Sequence, residues 1–103
     1  MDAQLKKGVL GMCILFQIRE GEMYGYEILK RVRERFPDVY EGSVYTILRR
    51  LAAEGCAETV LRPAEGGPPR KYYRITAEGC RQLTRSVEEW RSLKQSVESL
   101  GSE

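Results

Sequence analysis

The 103-residue chain contains no histidine. That removes the side chain most often used as a general base near neutral pH and the commonest metal ligand. No carboxylate pair or metal-type cluster stands out either, so neither catalysis nor a cofactor is expected. Cysteine is scarce: Cys13, Cys56 and Cys80 are an odd number, match no disulfide framework and include no Cys-x-x-Cys pair of the kind zinc sites use. Each lies in a segment that reads as helix or strand. Core filler in a reducing cytoplasm is one reading, and a redox-sensing thiol is the other. Long apolar runs are missing too, because the stretch from Val9 to Phe16 is interrupted by Gly11 and falls short of the roughly 20 residues a membrane helix needs. Neither a membrane span nor a signal peptide is read, and a cytoplasmic protein is expected. An excess of one charge is also lacking. Seventeen Lys and Arg oppose fifteen Asp and Glu, a net charge of +2, so partners must be inferred from where charge lies.

What is present is ordinary globular composition, 42% hydrophobic and 31% charged. A chain this short makes one domain with a modest core, burying about two-thirds of its unfolded surface. From Leu5 to Ile18 apolar residues, Val9 among them, cover nearly the whole circumference of a helix. One face belongs to the chain's own core and the other is expected to meet a second subunit. Glu20 to Glu22 reads as a turn. Tyr24 to Phe36 is amphipathic, with Ile28, Leu29, Val32 and Phe36 inward, and stops before Pro37. Its Lys30, Arg31, Arg33 and Arg35 read as a solvated face or a phosphate contact.

Between Ser43 and Ala53 a stripe of Val44, Ile47, Leu48 and Leu51 faces inward, and Gly55 supplies a carboxy-terminal cap. At about 100° per residue, Gly42, Thr46, Arg49 and Ala53 occupy the opposite face, flanked by Tyr45 and Arg50. Small, polar and basic residues suit a face pressed into a groove. Ala57 to Arg62 and Lys71 to Ile75 read as strands, with Pro63 to Pro69 as the loop between them. Gly66 and Gly67 permit close backbone approach to a phosphate, while Arg70 and Lys71 supply charge. The stretch Gly-Gly-Pro-Pro-Arg-Lys lacks the spacing of a nucleotide-binding P-loop. Thr76 caps a last helix from Ala77 to about Leu100, where Cys80, Leu83, Val87, Trp90, Leu93, Val97 and Leu100 follow a near-heptad rhythm. At about 1.5 Å per residue such a helix outreaches a core this size. Leu83, Val87, Trp90, Leu93 and Val97, with Val9, are therefore expected at a dimer interface.

This order of elements describes an α+β, mostly helical fold: a winged helix-turn-helix over residues 1–76 and a long dimerisation helix over 77–103. A winged helix reads double-stranded DNA with its third helix and grips the backbone with its hairpin. Arg49 and Thr46 are the base-edge candidates. Gly42, Ser43, Tyr45, Arg50, Gly66, Gly67, Arg70 and Lys71 complete the expected DNA-binding set, with Lys6 and Lys7 as further nearby charge.

Tyr24-Gly25-Tyr26-Glu27, Ser43-Val44-Tyr45, the segment Gly66 to Arg74, and Thr76 with Gly79 together resemble the PadR family of bacterial transcriptional regulators. The likeness is greatest to the compact subgroup in which one carboxy-terminal helix makes the dimer, a subgroup that includes a repressor of multidrug export. The resemblance implies a homodimeric repressor that binds a pseudo-palindromic operator and is released by a small hydrophobic, often aromatic, ligand. It places the family's recognition-helix tyrosine on Tyr45, its small hydroxyl residue on Ser43 and its wing on Gly66 to Lys71. It also implies a ligand pore of Trp90, Leu5, Met12 and Val87, although Trp90 equally suits a dimer-core aromatic. Departures are Tyr40 in place of a Ser or Asn cap and Cys56 in place of an aliphatic residue. Two other functions remain open on the sequence, a winged-helix protein-docking module and a thiol sensor acting through Cys56 or Cys13.

Overall fold

Hydrophobic periodicity translates into four helices and a small sheet, in the order α1 (Ala3–Ile18), β1 (Met23–Tyr24), α2 (Gly25–Arg35), α3 (Glu41–Ala53), β2 (Ala57–Ala64), β3 (Gly67–Ile75) and α4 (Ala77–Gly101). The computed structural model describes residues 3–101, with side chains from residue 8 onward. Leu10, Ile14, Leu15 and Ile18 of α1 form the centre of the core. Against them pack Ile28, Leu29 and Val32 of α2, Val44, Ile47, Leu48 and Leu51 of α3, and Tyr73 of the sheet. Each set repeats at three- and four-residue intervals, so one face of each helix is covered by the others. Among the described residues no helix is long and apolar enough to cross a membrane, and no group of side chains is arranged to hold a metal.

The sheet is antiparallel, in the order β1-β3-β2. Its first strand is absent from the sequence reading. Met23 and Tyr24 extend only because they pair with Tyr73 and Tyr72 of β3. The wing is also tighter than Pro63 to Pro69 suggested, since the turn is reduced to Glu65 and Gly66, with Gly66 at φ 70°. Arg62 pairs with Arg70 and Ala64 with Gly67, so Pro63 on β2 faces both Pro68 and Pro69 on β3. That two-against-one bulge tolerates missing N–H donors, and β2 is an edge strand, where proline is admitted.

Helix α3 starts at Glu41, two residues earlier than its apolar stripe indicated. Its amino-terminal cap is Tyr40, which is 81% exposed and makes no side-chain capping bond. At the other end, Gly55 adopts φ 78°. The Cys56 amide donates to the Leu51 carbonyl at 2.8 Å and the Gly55 amide to the Ala52 carbonyl at 3.1 Å, closing the helix in a Schellman motif.

Helix α4 departs from expectation at its base. Leu83 is buried in the chain's own core, 5% exposed, and offers no surface to a second subunit. Val87 is half-buried against the same core. From Glu88 to Gly101 every residue is exposed, and Trp90, Leu93, Val97 and Leu100 form an apolar row that none of the described residues covers. Of the cysteines, Cys56 is buried, Cys13 is half-buried and Cys80 is exposed, so core filling does not describe Cys80.

Replacing Tyr40 by Ser supplies the missing cap acceptor to α3. Chemical denaturation at fixed protein concentration should show a gain of about 1 kcal/mol, and no gain would mean that solvent already satisfies the first-turn amides.

Candidate nucleic-acid interface

On α3, Gly42, Ser43, Thr46 and Arg49 are all exposed on one side, opposite the buried stripe. The Arg49 guanidinium donates to Thr46 Oγ1 at 3.3 Å, which joins the two base-edge candidates, and Arg49 makes no ion pair among the described residues. Tyr45 is half-buried at the base of this face, and burial is the first cause pushing its phenol pKa upward, with the Glu41 charge second. Arg50 does not share this surface. It reaches back to α1, where a Cβ at Gly11 would lie 3.0 Å from Arg50 Nη2, and its Nε lies 3.9 Å from Glu54 one turn on. A step of about 100° around the helix carries it to the flank that α1 covers.

Ion pairing sorts the wing cations. Arg62 makes a two-pronged bond to Glu22, at 2.6 and 2.7 Å, tying β2 to the turn before β1. Arg74 is paired with Glu58 at 2.8 Å across the hairpin. Arg70 makes no such pair among the described residues; its guanidinium lies 4.9 Å from the ring centroid of Tyr24. Lys71, its neighbour, is exposed and forms no ion pair among the described residues. The turn itself carries Glu65, so positive charge sits on the shoulder of the wing while Gly66 and Gly67 present backbone at the tip.

Three tyrosines not assigned to the site from sequence complete this surface. Tyr24 lies 5.6 Å from Tyr72 and 6.3 Å from Tyr26, ring centroid to ring centroid. Lys30 Nζ stands 5.9 Å over the Tyr26 ring. Lys30 and Arg70 thus flank an aromatic strip beside the amino terminus of α2. The Tyr-Gly-Tyr triplet was the available signal, since Gly25 is buried where a Cβ would lie 3.3 Å from Tyr73 and 3.5 Å from Tyr45.

Behind α3, an open groove of about 1200 Å³ between α1 and α4 brings together Val9, Met12, Trp90 and Leu93, with Arg50, Glu54 and Glu89 also on its wall. Val87 lies against the core next to it. The side chains of Leu5, Lys6 and Lys7 lie outside the described residues. Burial raises the thiol pKa of both Cys13 and Cys56, the opposite of what an activated thiolate requires.

Comparison with known proteins gives one answer. Residues 14–85 match the transcriptional regulator PadR-like family. A PadR-like transcriptional regulator from Bacillus cereus is 39% identical, with 95% of this chain and 96% of that chain covered and a TM-score of 0.82. A Streptococcus transcriptional regulator is 35% identical over 96% of this chain and 98% of that one, with a TM-score of 0.86. A PadR family regulator from Clostridium difficile is 34% identical, covering 89% of this chain and 98% of the other, with a TM-score of 0.79.

The Arg62 bond is the first cause holding the Glu22 carboxyl below its usual pKa. A carboxyl depressed in the folded state stabilises above its unfolded pKa, and that contribution is lost as pH falls through the folded value. Amide exchange in β2 should therefore quicken as pH drops below about 4, after correction for the intrinsic rate. Glu22→Gln should show the faster exchange already at neutral pH; equal protection in both proteins would mean that the pair does not anchor the wing.

Proposed function

The chain belongs to the PadR-like family of transcriptional regulators, and from that premise we propose a homodimeric repressor that reads a pseudo-palindromic operator with α3 and holds its backbone with the wing shoulder. The family's role is DNA-binding regulation of transcription. What supports this particular division of labour is the sorting of cations. Among the described residues, Arg49, on the exposed face of α3, and Arg70 with Lys71, on the wing, are left without carboxylate partners while Arg62 and Arg74 are neutralised. Arg49 with Thr46 is the base-reading pair, since a guanidinium can bond guanine in the major groove at two points. Arg70 and Lys71 meet phosphates, which give affinity without sequence information.

The dimer is supported by the exposed row on α4. Trp90 is 43% exposed, Leu93 52% and Val97 61%, contiguous with the groove that holds Val9 and Met12. A second copy of α4 laid on this row would bury it. Two recognition helices could then enter successive major grooves about 34 Å apart. The groove beside Trp90 is the proposed place for a small hydrophobic or aromatic effector, with Met12 and Trp90 on its walls. Such a ligand acts by binding one separation of the recognition helices better than another. A cytoplasmic protein at the nucleoid follows from this role.

Arg49→Ala should cost about 1–3 kcal/mol on the preferred duplex and relax sequence preference; Arg70→Ala should weaken all duplexes alike and reduce the salt slope by about one unit. Fluorescence anisotropy at several salt concentrations reads both, and equal losses from the two variants on specific and random DNA would reject the assignment. Leu93→Glu should raise the dimer dissociation constant at least about tenfold while leaving the protomer folded, because Leu93 is already exposed there. Sedimentation equilibrium decides this, and an unchanged mass would reject the α4 interface.

A further inference from the structure

The end of the recognition helix and the start of the dimerisation helix are joined directly across the root of the wing. After β3 the chain returns to the corner where α3 closed, and the Thr76 amide donates to the Cys56 carbonyl at 3.1 Å. The Thr76 hydroxyl donates to the Gly55 carbonyl at 2.5 Å and accepts from the Gly79 amide at 3.0 Å. A helix cap needs only the last of these bonds. The other two clamp the cap of α4 onto the cap of α3. Gly79, in the first turn of α4, is buried so close to this corner that a Cβ would collide with the Cys56 carbonyl oxygen and lie 2.7 Å from Ile75 Cγ1.

We infer that Thr76 is a positioning residue which, with Gly79, locks the angle between α3 and α4 and thereby determines the half-site spacing the dimer accepts. The inference rests on the dimeric DNA-binding reading above. From Thr76 to Trp90 the helix runs about 21 Å, so a change of about 5° at the joint displaces each recognition helix by about 2 Å, and the pair by roughly the 3.4 Å of one base-pair step. A joint with slack would therefore accept neighbouring spacings. A joint closed by three hydrogen bonds and a glycine contact does not.

The test uses the full chain and duplexes bearing two inverted copies of its selected half-site, with the separation varied one base pair at a time, alongside a duplex with a single copy. Wild type should favour one separation. Thr76→Val removes both bonds of the hydroxyl; it should keep single-copy affinity and lose at least about fivefold of the spacing preference, the effect expected of the clamp bond to Gly55 alone, and Thr76→Ser should restore it. Gly79→Ala removes no polar group but drives a methyl against the Cys56 carbonyl, so the joint must open and the preferred separation should shift; it decides the matter independently if Thr76→Val does not fold. Affinity lowered by one common factor at all separations, in whichever variants fold, would make Thr76 and Gly79 purely structural and overturn the inference. A wild-type protein that binds the single copy but ignores separation would overturn the dimeric reading, and the joint's role with it.

Discussion

The placement of the whole chain depends on one corner, where the carboxy-terminal cap of α3, the root of the hairpin and the first turn of α4 meet around the Cys56 carbonyl. Because α3 closes through Gly55 and turns at once into β2, the wing must rise beside α3. Because β3 ends against that closure, α4 must start where α3 stops. Its direction then leaves the core after Leu83 and Val87, and the apolar row beyond them stands exposed, which is why the proposed dimer places a second copy there.

Charge placement follows a similar economy. A net charge of +2 says little about DNA, and pairing makes it less informative still. Glu22 and Glu58 cancel Arg62 and Arg74 and, in doing so, link β2 to the turn before β1 and to β3. Arg70 is held over an aromatic ring instead, an arrangement that limits its motion without neutralising it. What reaches solvent on this side is a small set of cations beside backbone glycines and tyrosine rings, suited to a phosphate-lined groove.

Much of this was legible in the sequence. The helices were, since their apolar residues repeat at the helical period and their ends carry Thr76, Gly55 and Pro37; so were the hairpin and the exposed placement of Arg49 and Thr46 on one face of α3. Other features depended on tertiary structure. Two residues cannot show periodicity, so β1 appears only through its partners Tyr72 and Tyr73. Three prolines argued for a long loop, yet a bulge on an edge strand absorbs them. The rhythm of α4 runs unbroken from Cys80 to Leu100 and cannot show where the chain's own core stops, which is how Leu83 was mistaken for an interface residue. Arg50 sits one step from Arg49, and only the position of α1 shows that it reaches away from the face shared by Thr46 and Arg49.

The most direct test of the account is selection of binding sites from a pool of random duplexes by the purified protein, repeated at higher salt, with the mass of the resulting complex determined. The account expects enrichment of two inverted copies of a short sequence about one helical turn apart, bound by two chains and surviving the added salt. Recovery of unenriched sequences, bound only at low salt, would contradict it.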